Sequence, residues 1–228
     1  MKLFFKHCVV KENNMLRLVA LLGFVFWLMP TECFSQKFEN KPVVIVIDPG
    51  HGGTDSGAVG NNGIQEKNVV LKVAKEIERL NESLFKNRFG IYLTRYTDTL
   101  ISLGDRTKLA RKLKADLFIS LHCNHSENPN AKGFEVYVFN RKNKQTKESI
   151  LLAYELQKGM QLNLGFRTRG VKFADFQVLR EASNRYPALL IEMGFLSNRD
   201  ESLYLNEHEN LRKVSRIIYI TLTKYLIL

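Results

Sequence analysis

A run of five β-branched residues, Val43–Ile47 (VVIVI), constrains the fold of this chain more than any other feature. A strand with one face in water alternates apolar and polar residues, whereas a strand covered on both faces does not. The run leads directly into the sequence DPGHGG and a glycine-rich loop that ends at Gly63. We therefore predict an α/β fold with this strand in the middle of its sheet.

Strand-like and helix-like segments alternate along the rest of the chain, which predicts a sheet of about six strands with helices on both faces. No internal repeat, low-complexity tract or interdomain linker interrupts the pattern, so we expect a single domain. The further strands are predicted over 90–94, 117–121, 133–139, 176–179 and 188–191, and the helices over 66–85, 102–113, 149–162 and 207–225.

The first 35 residues have a different character from the rest. The apolar run Leu18–Met29 follows four basic residues and precedes small residues, a pattern typical of a secretory signal peptide. We predict residues 1–35 as the leader, cleaved after Ser35, and residues 36–228 as a single domain. Initiation at Met15, an uncleaved anchor and a lipoprotein modified at Cys33 are alternatives. Because the run is shorter than the roughly 20 residues of a transmembrane helix, we expect no stable span after cleavage.

Charge and cysteine content narrow the classes of function. Removing the leader's four basic and two acidic residues lowers the formal charge from +11 to +9. Basic residues are interleaved with acidic ones, which argues against a nucleic-acid binder and suits a solvated basic surface that contacts another anionic polymer. Cys123 is the one cysteine beyond the predicted leader, and a single cysteine cannot form an internal disulfide. If a cross-link stabilises the domain, a bound metal is therefore the better candidate.

Three ionisable residues follow three predicted strands: His51, His122 and Glu192. Ligands gather at the carboxyl ends of strands in open α/β sheets, so these side chains should converge, with Glu66 at the start of the first helix joining them. Two histidines and one glutamate with an open fourth position make a hydrolytic zinc site, and Glu192 is the candidate proton acceptor. Spacing alone leaves a chance arrangement open, since the H-E-x-x-H motif is absent. A phosphate-binding loop is weakly supported, because Asp55 replaces the third glycine of G-x-G-x-x-G.

Five segments surround these residues: VIVIDPGHGGTDSGAVG (44–60), IQEKNVVL (64–71), DLFISLHCNHS (116–126), GVKFADFQVLRE (170–181) and PALLIEMGFLSN (187–198). They resemble the zinc-dependent N-acetylmuramoyl-L-alanine amidases of the amidase-3 family. The resemblance implies zinc ligation by His51, Glu66 and His122, catalysis by Glu192, and a mixed, twisted three-layer α/β sheet. It further implies hydrolysis of the amide between N-acetylmuramic acid and L-alanine in peptidoglycan by a protein exported to the periplasm or cell wall, with a protein activator left open.

Residues around these motifs have competing roles. We expect Cys123 to pack away from His122, since side chains alternate along a strand, and His125 and His208 to be loop and surface histidines. Asp48 and Asn124 could orient the histidines or form turns. Candidates for binding substrate carboxylates are Arg95, Arg106 and Arg180.

Two other functions stay open at this stage. A non-catalytic wall-binding domain would have lost a metal ligand or the proton acceptor. In this chain His51, Glu66 and His122 supply the three ligands, and Glu192 supplies the proton acceptor. A zinc peptidase acting on the peptide stem would differ in its cleavage product. The short basic segment 140–147 shows no apolar periodicity, so an inhibitory helix of the kind some relatives carry is not expected there.

Overall fold

A computed structural model describes residues 41–227, and within them six strands form one mixed sheet in the order β2-β1-β3-β6-β4-β5. The strands are β1 (Val44–Pro49), β2 (Gly90–Leu93), β3 (Leu117–Asn124), β4 (Phe134–Val138), β5 (Thr168–Phe173) and β6 (Ala188–Phe195). The first four strands in the order are parallel, β4 is antiparallel to β6, and β5 is parallel to β4. The prediction of a mixed sheet of about six strands is confirmed.

The β-branched run forms β1, which is buried along its whole length and hydrogen-bonded to β2 on one side and β3 on the other. Both of its faces are covered, as the lack of alternation predicted. Its carboxyl end and those of β3 and β6 lie at the same edge of the sheet because the three strands are parallel. This edge receives His51, His122 and Glu192.

Six helices are described, and they cover the sheet on both faces. They are α1 (Glu66–Phe85), α2 (Leu103–Lys112), α3 (Lys144–Leu164), α4 (Gln177–Ala182), α5 (Arg199–Asn206) and α6 (His208–Ile227). The buried faces of α1, α3, α5 and α6 share one apolar cluster with one face of the sheet, whereas α2 and α4 pack on the opposite face. The three-layer α/β arrangement is therefore confirmed.

Several elements differ from the sequence prediction, among them helix α5, which was not predicted. The prediction of a strand over 176–179 is wrong. Gln177–Ala182 is a helix whose Val178, Leu179 and Ala182 are buried. Apolar residues at these positions fit one helical face, but four residues are too few to distinguish the two periods. The missing strand is β5, a half-exposed edge strand with sequence TRGVKF that shows no regular alternation.

Helix α3 begins five residues earlier than predicted, at Lys144. The side chain of Asn143 accepts a hydrogen bond from the backbone N–H of Thr146 and so caps the helix. The predicted leader, residues 1–35, lies outside the described residues. Within the described range, no helix has the length and apolar character needed to cross a membrane.

Candidate metal centre

Three of the predicted site residues converge at the carboxyl edge of the sheet. The Nε2 atom of His51 lies 3.0 Å from Oε1 of Glu66, and Nδ1 of His122 lies 2.9 Å from the same oxygen. One ligand atom from each of the three side chains lies within 4.8 Å of the other two. The histidine rings are close to perpendicular, with centroids 5.0 Å apart. The arrangement presents two imidazole nitrogens and one carboxylate oxygen to a common point.

The donor set fits zinc. Two neutral histidines and a carboxylate are ligands that zinc accepts at about 2.0–2.2 Å, and catalytic zinc sites keep a fourth position open. A tetrahedral ion at those distances holds its ligand atoms about 3.3 Å apart, close to the 2.9 and 3.0 Å measured between the histidine nitrogens and Glu66. The side chains of His51 and His122 are 23% and 20% exposed, so the point where they converge is open to solvent on one side.

The loop after β1 holds His51 in an unusual conformation. His51 has φ of 59°, a left-handed value that costs a residue with a side chain about 1–2 kcal/mol. Arg106 donates to the carbonyls of His51 and Pro49, at 2.9 and 2.8 Å, and pairs with the buried Asp48 at 2.7 Å. Arg95 donates to the carbonyls of Pro49 and Gly50, at 3.0 and 2.8 Å. Both arginines are 3% exposed, and their guanidinium groups fix the loop.

Two glycines make room for the ligand side chains. A Cβ atom at Gly50 would lie 2.3 Å from Cε1 of His122, and one at Gly57 would lie 2.5 Å from Oε2 of Glu66. Neither distance is compatible with the present positions of the ligands. The glycine-rich loop therefore lets the backbone approach the metal centre closely.

The ligand orientations are set by further hydrogen bonds. The Nδ1 atom of His51 lies 2.8 Å from Oδ2 of Asp55, which leaves Nε2 to face the centre. The two oxygens of Glu66 also accept from the backbone N–H groups of Cys123 and Ala58, at 2.9 and 2.8 Å. The thiol of Cys123 is buried in the apolar cluster on the other side of the sheet, as predicted. Sequence reasoning missed Asp55, although its place four residues after His51 was a usable signal.

The electrostatics of the three residues are strongly coupled. Burial disfavours the charged form of His51, but the carboxylates of Glu66 and Asp55 outweigh burial and raise its pKa to about 9. Burial of Glu66 is similarly outweighed by hydrogen bonds from His122 and His51, which lower its pKa to about 2. Glu66 is thus a carboxylate at every physiological pH. Binding of a metal displaces the proton of His51, because an imidazole ligand is neutral.

Glu192 lies beside these residues but is not part of the group formed by His51, Glu66 and His122. It pairs in register with His122 across β3 and β6, and both line a cleft of about 780 Å³. Its Oε2 atom is buried without a hydrogen-bond partner among the described residues. Burial raises the pKa of Glu192 to about 7. A carboxyl group that titrates near neutral pH in a cleft is suited to accept and return a proton.

The remaining candidates lie outside the centre. His125 and His208 are exposed, as predicted. Asn124 accepts from the backbone N–H of His125, whereas Asp48 accepts from the side chains of Thr94, Ser120 and Arg106. These hydrogen bonds do not involve a histidine ring. Arg180 is half exposed and pairs with Asp175 on the surface.

The profile of the amidase-3 family, described as N-acetylmuramoyl-L-alanine amidase, matches residues 45–224, which include all four site residues. The chain belongs to this amidase family. The match also spans all six strands except the first residue of β1.

Individual members of the amidase family agree with this assignment. The N-acetylmuramoyl-L-alanine amidase LytC of Bacillus subtilis is 37% identical over 195 residues, which make up 83% of this chain and 38% of LytC. This chain therefore spans well under two thirds of the length of LytC.

Solved structures of the amidase family share the fold. The catalytic domain of CwlV from Bacillus (Paenibacillus) polymyxa superimposes with a TM-score of 0.72 at 34% identity, covering 81% of this chain and 98% of that domain. The CwlD amidase of Clostridioides difficile, solved in complex with the GerS lipoprotein, gives a TM-score of 0.73 at 28% identity, covering 81% of this chain and 98% of CwlD.

Proposed function

We propose that this chain is a zinc-dependent N-acetylmuramoyl-L-alanine amidase, which hydrolyses the amide bond between N-acetylmuramic acid and L-alanine in peptidoglycan. One observation carries the proposal. In a member of this amidase family, His51, Glu66 and His122 converge at one point, and the unpartnered carboxyl of Glu192 faces the same cleft. A wall-binding domain without activity has no use for a buried carboxyl that lacks a partner.

Three side chains would hold the zinc. His51 would bind through Nε2, because Asp55 engages its Nδ1 atom, while His122 and Glu66 would bind through Nδ1 and Oε1. Zinc in such a site supplies Lewis acidity, which polarises the amide carbonyl and lowers the pKa of water. The backbone N–H groups of Cys123 and Ala58 hold the carboxylate of Glu66 in place.

Glu192 would carry the proton. As a carboxylate it takes a proton from the attacking water, whose oxygen forms the new bond to the amide carbon. When the carbon–nitrogen bond breaks, Glu192 gives that proton to the alanine nitrogen, so the products are a lactyl carboxylate and a free amine. With a pKa of about 7, Glu192 can both accept and release the proton at neutral pH.

The products of wall digestion test the proposal. Purified peptidoglycan is incubated with zinc and a protein that lacks residues 1–35, and the fragments are analysed by mass spectrometry. We expect release of intact stem peptides with a free L-alanine amine. Shortened stems would show that the protein is a peptidase instead, and the Glu192→Gln protein is the control for contaminating hydrolases.

Export and a protein partner belong to the same proposal. Residues 1–35 would direct the chain out of the cytoplasm, and residues 36–228 would act on the cell wall. The complex of the related CwlD with a lipoprotein supports a protein partner for this chain as well. Fractionation of cells that express the full chain, followed by N-terminal sequencing, tests whether the leader is removed.

A further inference from the structure

A second charged cluster borders the metal centre on the side of β4 and β5. Glu135 lies opposite Glu192 in the antiparallel pair of β4 and β6, so both side chains project to the same face of the sheet. Because β4 and β5 run opposite to β6, their first residues lie at the edge where β6 ends. The row formed by His122 and Glu192 therefore continues through Glu135.

The single carboxylate of Glu135 pairs with two cations, Arg169 and Lys172. It is 1% exposed and accepts hydrogen bonds from the hydroxyl of Tyr137 at 2.7 Å and from Nε of Arg169, while Nζ of Lys172 lies 3.0 Å away. One cation suffices to neutralise a buried carboxylate. The three side chains together carry two positive charges and one negative charge, and Glu192 is the next carboxyl along the row.

Both cations keep an open side. The side chains of Arg169 and Lys172 are 29% and 36% exposed. Aromatic rings hold them in place: the guanidinium of Arg169 lies 5.0 Å from the ring centre of Phe195, and Nζ of Lys172 lies 5.8 Å from that of Tyr137. The ring of Tyr137 in turn contacts Phe176, which lines the cleft that contains Glu192.

We propose that Arg169 and Lys172 form a subsite that binds a carboxylate of the stem peptide while its amide bond lies at the metal centre. This inference rests on the proposed function, since that substrate places a peptide with free carboxyl groups in the cleft. Lys172 is two strands away from Glu192 and, through Tyr137, is in register with Leu190, two residues before Glu192. At about 4.8 Å per strand and about 3.3 Å per residue, the backbones of Lys172 and Glu192 are about 12 Å apart. An extended peptide advances about 3.3 Å per residue, so the subsite is within reach of the second and third stem residues.

Matched substrates and a charge-removing variant test the subsite. Muramyl tripeptides are prepared with the free carboxyl of the second or third residue either intact or converted to a carboxamide. For the wild-type protein we expect one of these two amidations to raise KM about tenfold and to leave kcat little changed. A tenfold rise is the size expected when one charge-assisted hydrogen bond to the substrate is lost. Lys172→Met should raise KM about tenfold on the intact substrate and no longer distinguish it from the amidated one.

Further variants separate recognition from a structural role. Lys172→Arg should restore the preference for the free carboxyl, and Arg169→Gln should reduce it independently of Lys172. Lys75→Met makes the same chemical change on the exposed face of α1 and should behave as wild type. Zinc content and melting temperature show that each variant is folded.

The outcomes also separate the two proposals. If wild-type protein releases stem peptides from all substrates with equal KM, or if Lys172→Met lowers kcat alike on both forms, the subsite is wrong while the amidase function stands. If wild-type protein cleaves none of the muramyl peptides, or cleaves them within the stem, the proposed function fails and the subsite fails with it.

Discussion

His122 and Glu192 are register partners on the parallel strands β3 and β6, and their side chains rise side by side from one face of the sheet. Nδ1 of His122 is 2.9 Å from Glu66, whereas Oε2 of Glu192 has no partner within the described part of the chain. The two residues therefore occupy equivalent positions, but His122 has a hydrogen-bond partner and Oε2 of Glu192 does not. That contrast supports the proposal that His122 binds the metal and Glu192 transfers the proton.

Glu192→Gln should keep the metal and lose the activity. Glutamine has nearly the same shape but cannot accept a proton, so we expect turnover to fall by about 10²–10⁴-fold. Zinc content, measured by atomic emission after dialysis, should stay at the wild-type level because the ligands are untouched. Glu155→Gln, at an exposed position of α3, is the matched control. A Gln variant without zinc would refute the role given to Glu192.

His51→Ala and His122→Ala should each lose zinc itself, because either change leaves two protein ligands. The expected result is a substoichiometric zinc content together with a loss of activity that added zinc restores poorly. His125→Ala is an informative control, since His125 is exposed and lies three residues from His122. Zinc loss in the His125 variant would add an unexpected ligand to the centre.

Gly50→Ala should weaken the metal centre without touching a ligand. A Cβ atom at Gly50 would lie 2.3 Å from the His122 ring, so the ring must move. We expect zinc affinity to fall by about 10–100-fold, as when an orienting contact of a ligand is lost. Gly104→Ala is the matched control, because no atom lies within 4 Å of a Cβ there. Competition with a chelator gives both affinities, and equal values would contradict the crowding argument.

The parts of this fold that sequence predicts best are those with a single physical cause. Burial on both faces removes alternation from β1, and the parallel topology then sends His51, His122 and Glu192 to one edge. Sequence does not predict β5, because an edge strand half in water needs no apolar pattern.

Polar contacts between residues far apart in the sequence could not be predicted either. Arg95 and Arg106 look like substrate-binding cations in the sequence, yet they lie under the His51 loop and are bonded to its carbonyls. Nothing local distinguishes an arginine that binds backbone 45 or more residues away from one that binds a ligand. Glu135 was missed for the same reason, because its partners Arg169 and Lys172 lie on another strand.

Arg106→Met should destabilise both the protein and the metal centre. The change leaves the buried carboxylate of Asp48 without its ion pair, which costs about 3–5 kcal/mol, and removes the hydrogen bonds to the loop that carries His51. Arg79→Met removes a surface ion pair with Glu76 and should change stability little. Urea unfolding of both variants checks this, and a similar midpoint for the two would show that the Asp48 pair contributes nothing special.

The missing partner of Glu192 has a cost in stability that depends on pH. Burial raises its pKa from 4.5 to about 7, so between these values the folded chain binds more protons than the unfolded chain. The free energy of unfolding must then fall as pH rises through this range and stay lower above it. After zinc is removed by chelation, Glu192→Gln should therefore be more stable than wild type at pH 8, on the order of 1–3 kcal/mol.

At pH 4.5 this difference between Glu192→Gln and wild type should be small, because the wild-type carboxyl is then almost fully protonated in the folded chain and about half protonated in the unfolded chain. Zinc should also reduce the difference at pH 8, since its positive charge favours the Glu192 carboxylate. Melting temperatures at both pH values, with and without zinc, give the four comparisons needed. A gain in stability of equal size at pH 4.5 and pH 8 would mean that packing, and not the charge of Glu192, limits the stability of the cleft.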